Sequence, residues 1–204
     1  GVFDKTVISN LFPDSSSGAR ALSVHRACQA GEILRLNPGL FVLGPPYRKS
    51  EPHPFVLAGI LHAPSHISLE SALAHHGLIP EAVYQVSSVT LGRSREFSTP
   101  LGTFTFRRVP ARAPRAGVSA VEVARNAWAF IAGPLRAIAD AVYLDKDIAW
   151  DRDGLGYLTE SLRIEEDDLR ELSFEAADEI LDGIRSRRVR AYIEGLREAM
   201  NHAG

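Results

Sequence analysis

Between residues 67 and 110 the spacing of apolar side chains switches from the period of a helix to that of a strand, which restricts the chain to folds that mix the two. Leu69, Ala72, Leu73 and His76 recur at helical spacing. Ser68 stands where its hydroxyl can accept from the first free amides, and Gly77 supplies the stop. Further on, Thr103, Thr105 and Arg107 alternate with Phe104 and Phe106, which predicts a strand with one buried and one wet face. The block holds no catalytic constellation, so it points to recognition rather than chemistry.

The order SLESAL, then HGLIPE, then SVTLGRSREFSTPLGTFTFR resembles the AbiEi family of antitoxins from abortive-infection (type IV) toxin-antitoxin systems. A second pattern of that family is matched by Ala132, Pro134, Arg136, Ala137, Ile138 and Asp140. Together the matches span residues 67–144, and the remaining residues to 204 carry no motif of the family. The resemblance implies a transcriptional regulator that represses its own operon and neutralises a nucleotidyltransferase-type toxin, without needing a stable complex with it, as part of phage resistance.

Aliphatic and aromatic residues make up 45% of the 204, enough for a sizeable core. With Cys28 as the single cysteine no internal disulfide can form, and no apolar run has the length of a bilayer span, so a reducing, cytoplasmic compartment is expected. The chain starts Gly1-Val2-Phe3 without an initiator Met, which leaves room for native residues upstream. A net charge of -2 conceals an asymmetry: residues 1–115 hold 12 Lys and Arg against 7 Asp and Glu, whereas residues 116–204 hold 11 against 18. The positive half suits a polyanion and the acidic half a basic protein surface.

Along the chain, Val7, Ile8 and Leu11 share a helical face that ends before Pro13. Ala21, Leu22, Val24, Ala27 and Cys28 continue a second helical pattern to Ala30, stopped by Gly31. Residues 33–36 and 40–43 flank the turn Asn37-Pro38-Gly39 as a hairpin. Helix, turn, helix and a two-stranded wing is the order of a winged helix-turn-helix, and GEILRLNPGLFVL looks like the wing of AbiEi-type regulators, with Pro38 where the family carries a basic residue. Four prolines make residues 45–54 a linker. Beyond it, strands are expected near residues 84–91, 101–109, 118–124 and 128–132, then a helix opened by Pro134 with Leu135, Ile138, Ala139 and Val142 on one face. Leu155, Leu158 and Leu162 repeat at helical spacing, and Val189, Tyr192, Ile193, Leu196 and Met200 form a helical stripe that must pack on something, by default the sheet. The expected fold class is therefore α/β (α+β): a winged helix-turn-helix over 1–44, a linker over 45–54 and a larger mixed α/β domain over 55–204 with a helical carboxy terminus.

In such a module the second helix enters the major groove, which nominates Ser23, His25, Arg26 and Gln29 for DNA contact. Arg can pair with guanine and Gln with adenine, and Ser23, read as lying at the helix start, could meet a phosphate. Arg35 and Asn37 on the wing would reach backbone or minor groove. Arg93, Arg95, Arg107, Arg108, Arg112 and Arg115 form a second basic set that gathers at one end of the sheet if the strands turn near residues 97–100. The expected partners are double-stranded DNA from the chain's own promoter, the cognate toxin, and a second copy on DNA; no membrane is expected.

No cofactor or metal is expected. His62 and His66 have ligand-like spacing, but Pro64 breaks any helix that would aim both at one ion. His76 continues an apolar face, where a hydrogen-bonded histidine is the commoner role, and Cys28 falls in an apolar pattern that predicts a buried thiol. Nucleophile elbows, phosphate loops and dinucleotide fingerprints are absent from the sequence, so no enzyme is expected. Two alternatives stand beside the repressor: an antitoxin or interaction domain without DNA binding, and an enzyme using His75, His76 or Asp140.

Overall fold

A computed structural model of the chain describes residues 1–80 and 85–202. It opens with a short strand, β1 (Val2–Asp4), that turns directly into α1 (Lys5–Leu11), because Asp4 Oδ1 accepts from the amides of Thr6 and Val7 at 2.8 and 3.1 Å. Ser16 caps α2 (Ser17–Gln29) in the same way, accepting from Ala19 N at 3.2 Å. Gly31, at φ +70°, releases the chain into the hairpin β2 (Ile33–Asn37) and β3 (Leu40–Leu43). The three strands are antiparallel in the order β1-β3-β2.

The two helical patterns form, but their apolar faces are less buried than their sequence suggests. Ile8 faces α2 and the hairpin, whereas Val7 and Leu11 remain 42% and 68% exposed. On α2, Val24, Ala27 and Cys28 turn inward and are half-buried, while Leu22 stays half exposed. At about 100° per residue Leu22 stands on the opposite side from Val24, so both cannot face the hairpin. Cys28 is accordingly only partly covered.

Residues 45–53 lead to α3 (Pro54–Leu61), where Pro54 takes the first turn and His53 Nδ1 accepts from Phe55 N at 3.2 Å. The short strand β4 (Ser65–Ile67) and α4 (Leu69–His75) follow, the latter stopped by Gly77 at φ +76°. Next come β5 (Gln85–Thr90), β6 (Arg95–Thr99), β7 (Gly102–Arg108), β8 (Val118–Ala124) and β9 (Ala127–Ala132). The expected start of a strand at Tyr84 lies outside the described residues. These strands form a mixed six-stranded sheet, β6-β7-β5-β4-β9-β8, in which β5 runs parallel to β7 and β4 to β9. The turn expected near residues 97–100 sits later, at Pro100 and Leu101, because Phe97 pairs with Phe104 inside the β6–β7 ladder.

Helices cover both faces of this sheet. Phe104 and Phe106 are buried, and His62 at the end of α3 stands edge-on to Phe106 at 5.0 Å. His66 opposes Val89 in register and therefore points to the other face, where α5 (Pro134–Leu144) lies. The hairpin packs on the sheet as well, β2 against β6, and Leu36 and Val42 join the same continuous core as the sheet residues.

The remaining chain is α6 (Trp150–Asp153), a π-helical turn (Tyr157–Ser161), α7 (Glu166–Arg170), α8 (Ala177–Ile184) and α9 (Arg187–His202). The stripe Val189, Tyr192, Ile193 and Leu196 is fully buried. It packs on α5, α6 and α8 rather than directly on the sheet. Burial pushes the Tyr157 phenol up to about 12, with the nearby charges of Glu70 and Asp145 adding to the shift, and raises Tyr192 as well.

Trp150 packs edge-on to Tyr192 at 5.4 Å and fills the space that a side chain at position 195 would need: a Cβ on Gly195 would meet its indole at 2.3 Å. Gly195→Ala should therefore lower stability by about 1–3 kcal/mol through overpacking. Gly59→Ala in α3, where nothing lies within 4 Å of the new Cβ, should not lower it. Thermal unfolding of the two variants checks this, and equal midpoints would refute the packing.

Candidate functional site

On the amino-terminal unit, His25, Arg26 and Gln29 share the outer face of α2, with Ser23 at its edge, and all four are exposed. Ser23 does not begin the helix. Ser16 sets the cap seven residues earlier, so the expected phosphate contact through a helix start does not form at Ser23. Arg35 is exposed on β2 with its guanidinium 5.6 Å from the Phe41 ring centre, and Asn37 is half-buried where the hairpin register shifts. Arg20 donates to the carbonyls of Phe12 and Ser15, which fixes the turn between α1 and α2 and commits its guanidinium to the fold. The helix carries no Asp or Glu, so its outer face is electropositive.

The second basic set is exposed throughout but does not make one surface. Arg107 opposes Val89 and lies on the face of Thr105, whereas the next residue, Arg108, alternates to the face of Phe106. Arg95 and Arg107 line a groove with Glu70 and Glu96, which balances their charge. Arg93 belongs to the β5–β6 loop, where its carbonyl meets His62 Nε2 at 3.2 Å. Arg112 docks by its backbone amide on Gly183 O at 3.0 Å. Arg115 lies apart from these, 4.0 Å above the ring of Phe130.

The most tightly built polar cluster of the described residues lies elsewhere. Ser68 does not cap α4: Leu69 adopts φ +57°, and this bend turns the Ser68 hydroxyl away from the helix amides. It donates instead to Asp140 Oδ2 at 2.8 Å. Arg136 Nε donates to Asp140 Oδ1 at 3.0 Å and Nη1 to Ala116 O at 2.8 Å, with His66 Nε2 3.4 Å from Asp140 Oδ2. Arg136 and Asp140 are 1% and 0% exposed. Burial alone would raise the pKa of Asp140, but the His66 contact, the Arg136 charge and the Ser68 hydroxyl outweigh it and hold the carboxyl below its ordinary range. The i, i+4 spacing of Arg136 and Asp140 is a sequence signal for this pair; nothing in the sequence places His66 and Ser68 beside it.

Of the histidines, His66 reaches Asp140, whereas the partners of His75 and His76 are elsewhere. His76 leaves the expected apolar face for an exposed position, where Nε2 lies 2.9 Å from Ala132 O. His75 packs edge-on to Phe55 at 5.8 Å, and burial lowers its pKa, helped by His76 and His53. Among the described residues no group of three His, Cys, Asp or Glu is placed to hold a metal ion, and no helix is long and apolar enough to cross a membrane. No protein-family model matches the chain, and no curated protein matches it.

Asp140→Asn leaves the Arg136 charge buried without its partner and should cost about 3–5 kcal/mol at neutral pH. Because the folded pKa of Asp140 lies below its unfolded value of about 4, this contribution is complete above that value and is lost as pH falls through the folded value. The gap in melting temperature between wild type and variant should thus close below about pH 4. A gap that stays constant down to pH 2 would show that the ionised carboxylate is not the source.

Proposed function

We propose that this chain is a DNA-binding transcriptional repressor and antitoxin of the AbiEi type, in which residues 1–44 act as a winged helix-turn-helix and residues 55–204 as the antitoxin domain. The observation that carries the first half is the outer face of α2. Strand, helix, helix and hairpin, with the sheet order β1-β3-β2, leave that face uncovered and free of carboxylates. At 13 residues α2 is about 20 Å long and of a width that the major groove accepts. Arg26 can read guanine and Gln29 adenine, with His25 beside them and Arg35 reaching the backbone from the hairpin. The opposed toxin, a nucleotidyltransferase-type protein countered without a stable complex, rests on the sequence resemblance alone.

One observation favours a reading without DNA. Leu22 lies half exposed among the polar residues of the same face, and Leu11 and Phe12, at the end of α1, are 68% and 55% exposed. An apolar surface of this kind suits a protein partner.

The two readings differ in salt dependence. Binding to DNA from upstream of the chain's own reading frame should weaken as salt rises, through counterion release. Arg26→Ala should weaken it by about 1–3 kcal/mol while leaving thermal stability unchanged. Fluorescence anisotropy over a salt series measures both. Binding that is insensitive to salt and to Arg26→Ala would remove the recognition helix and leave the protein-interaction reading.

A further inference from the structure

A void of about 160 Å³ lies beside the buried cluster, away from the α2 face. Val89, Val109, Val118 and Phe130 give it apolar walls, and the charged residues lining it are Arg115 and Arg136, with His66 and no Asp or Glu. Arg136 determines what it can hold. Its Nε and Nη1 are occupied by Asp140 and Ala116 O, whereas Nη2 has no acceptor among the described residues. Arg136, with a side chain 1% exposed, lines the void.

Three further facts fit a ligand there. Arg136 is the third residue of α5, where the helix dipole opposes a cation, so its position there is unfavourable on local grounds. Asp140 engages Nε alone, leaving one N–H edge of the guanidinium fork available for an acceptor. His66, with a side chain 9% exposed, lines the same void and uses only Nε2 on Asp140. Since Asp140 offsets one of the two guanidinium charges, the site keeps a net positive charge from Arg115 at its mouth.

We propose that this void binds a small organic anion: one carboxylate carried on a single ring or a short branched chain. The carboxylate accepts from Arg136 Nη2, the apolar body packs between Val89, Val118 and Phe130, and Arg115 closes the mouth. The volume suits the class, because a cavity of about 150 Å³ accommodates benzene. The proposal does not depend on DNA binding.

Benzoate is the probe, with benzyl alcohol as its uncharged counterpart, each titrated into the full chain by ligand-observed NMR. Benzoate should bind at least roughly tenfold more tightly than the alcohol, as a carboxylate bonded to a guanidinium requires. Arg136→Lys, which keeps a charge for Asp140 but withdraws the fork, should weaken benzoate by a similar factor, and Arg115→Ala by about half as much on a logarithmic scale. Val118→Phe fills the void without touching the ion pair and should abolish binding while the protein stays folded, which keeps the test valid if Arg136→Lys does not fold. Equal affinity for benzoate and benzyl alcohol, or unchanged benzoate binding by Val118→Phe, would overturn the proposal.

Discussion

The buried pair of Arg136 and Asp140 holds the six-stranded sheet together at its weakest point. β4 is three residues long, yet it is the strand that joins β6-β7-β5 to β9-β8, and its pairing with β9 consists of the single register match Ile67 with Ile131. Such a seam has few backbone hydrogen bonds to resist shear. The side chains supply what the ladder lacks: His66 on β4 and Ser68 just after it reach Asp140 on α5, and α5 follows β9 directly through Gly133. The cost of taking two charges out of water is large, and it is offset here because both carboxylate oxygens and two of the three guanidinium nitrogens have partners.

The same network reaches the helical layer. Arg136 Nη1 donates to Ala116 O, and the next residue, Gly117, turns at φ +65° beneath α8, where a Cβ would meet Ile180 at 2.7 Å and Arg136 Cβ at 3.0 Å. The far end of α5 is fixed by a second arginine: Arg188 of α9 donates to the carbonyls of Val142, Tyr143, Asp145 and Ile148. Val142 O and Tyr143 O are orphan acceptors of the last turn of α5, and a cation placed there also complements the dipole. The central helix is thus held at one end through the sheet and at the other through α9. The exposed ion pairs of the acidic half, such as Arg190 with Asp182, contribute little beside these.

Some of the longer elements are legible from their period, although β6, α3 and α8 are not among them. The alternation of Thr103 to Arg107 with Phe104 and Phe106 became β7, and the stripe from Val189 to Leu196 became the buried face of α9. β1 and β4, at three residues each, complete too little of a period to be recognised. Ser68 has the residue type and the position of a cap, but Leu69 takes φ +57° and the Ser68 hydroxyl donates to Asp140 instead of a helix amide. The cluster was out of reach for a further reason. His66 and Ser68 lie more than 70 residues from Asp140, so their meeting depends on the order of strands across the sheet, which no local pattern encodes.

Hydrogen-bond commitments also separate side chains that can recognise something from those that cannot. Charge by itself does not, since part of the positive balance of the amino-terminal half resides in groups already engaged: Arg20 holds the α1–α2 turn, and Arg48 binds Leu43 O and Glu51. Arg95 and Arg107 share their groove with two carboxylates. Arg26 has no bonded partner among the described residues and stands on an exposed helix face, while Arg136 keeps one nitrogen uncommitted and lines an apolar void. A donor left over after structural demands are met is hydrated when it lies on the surface, and it costs little there. In a void of mostly apolar lining the same unmet donor is costly unless an acceptor enters, so the buried arginine constrains its ligand far more tightly than the exposed one.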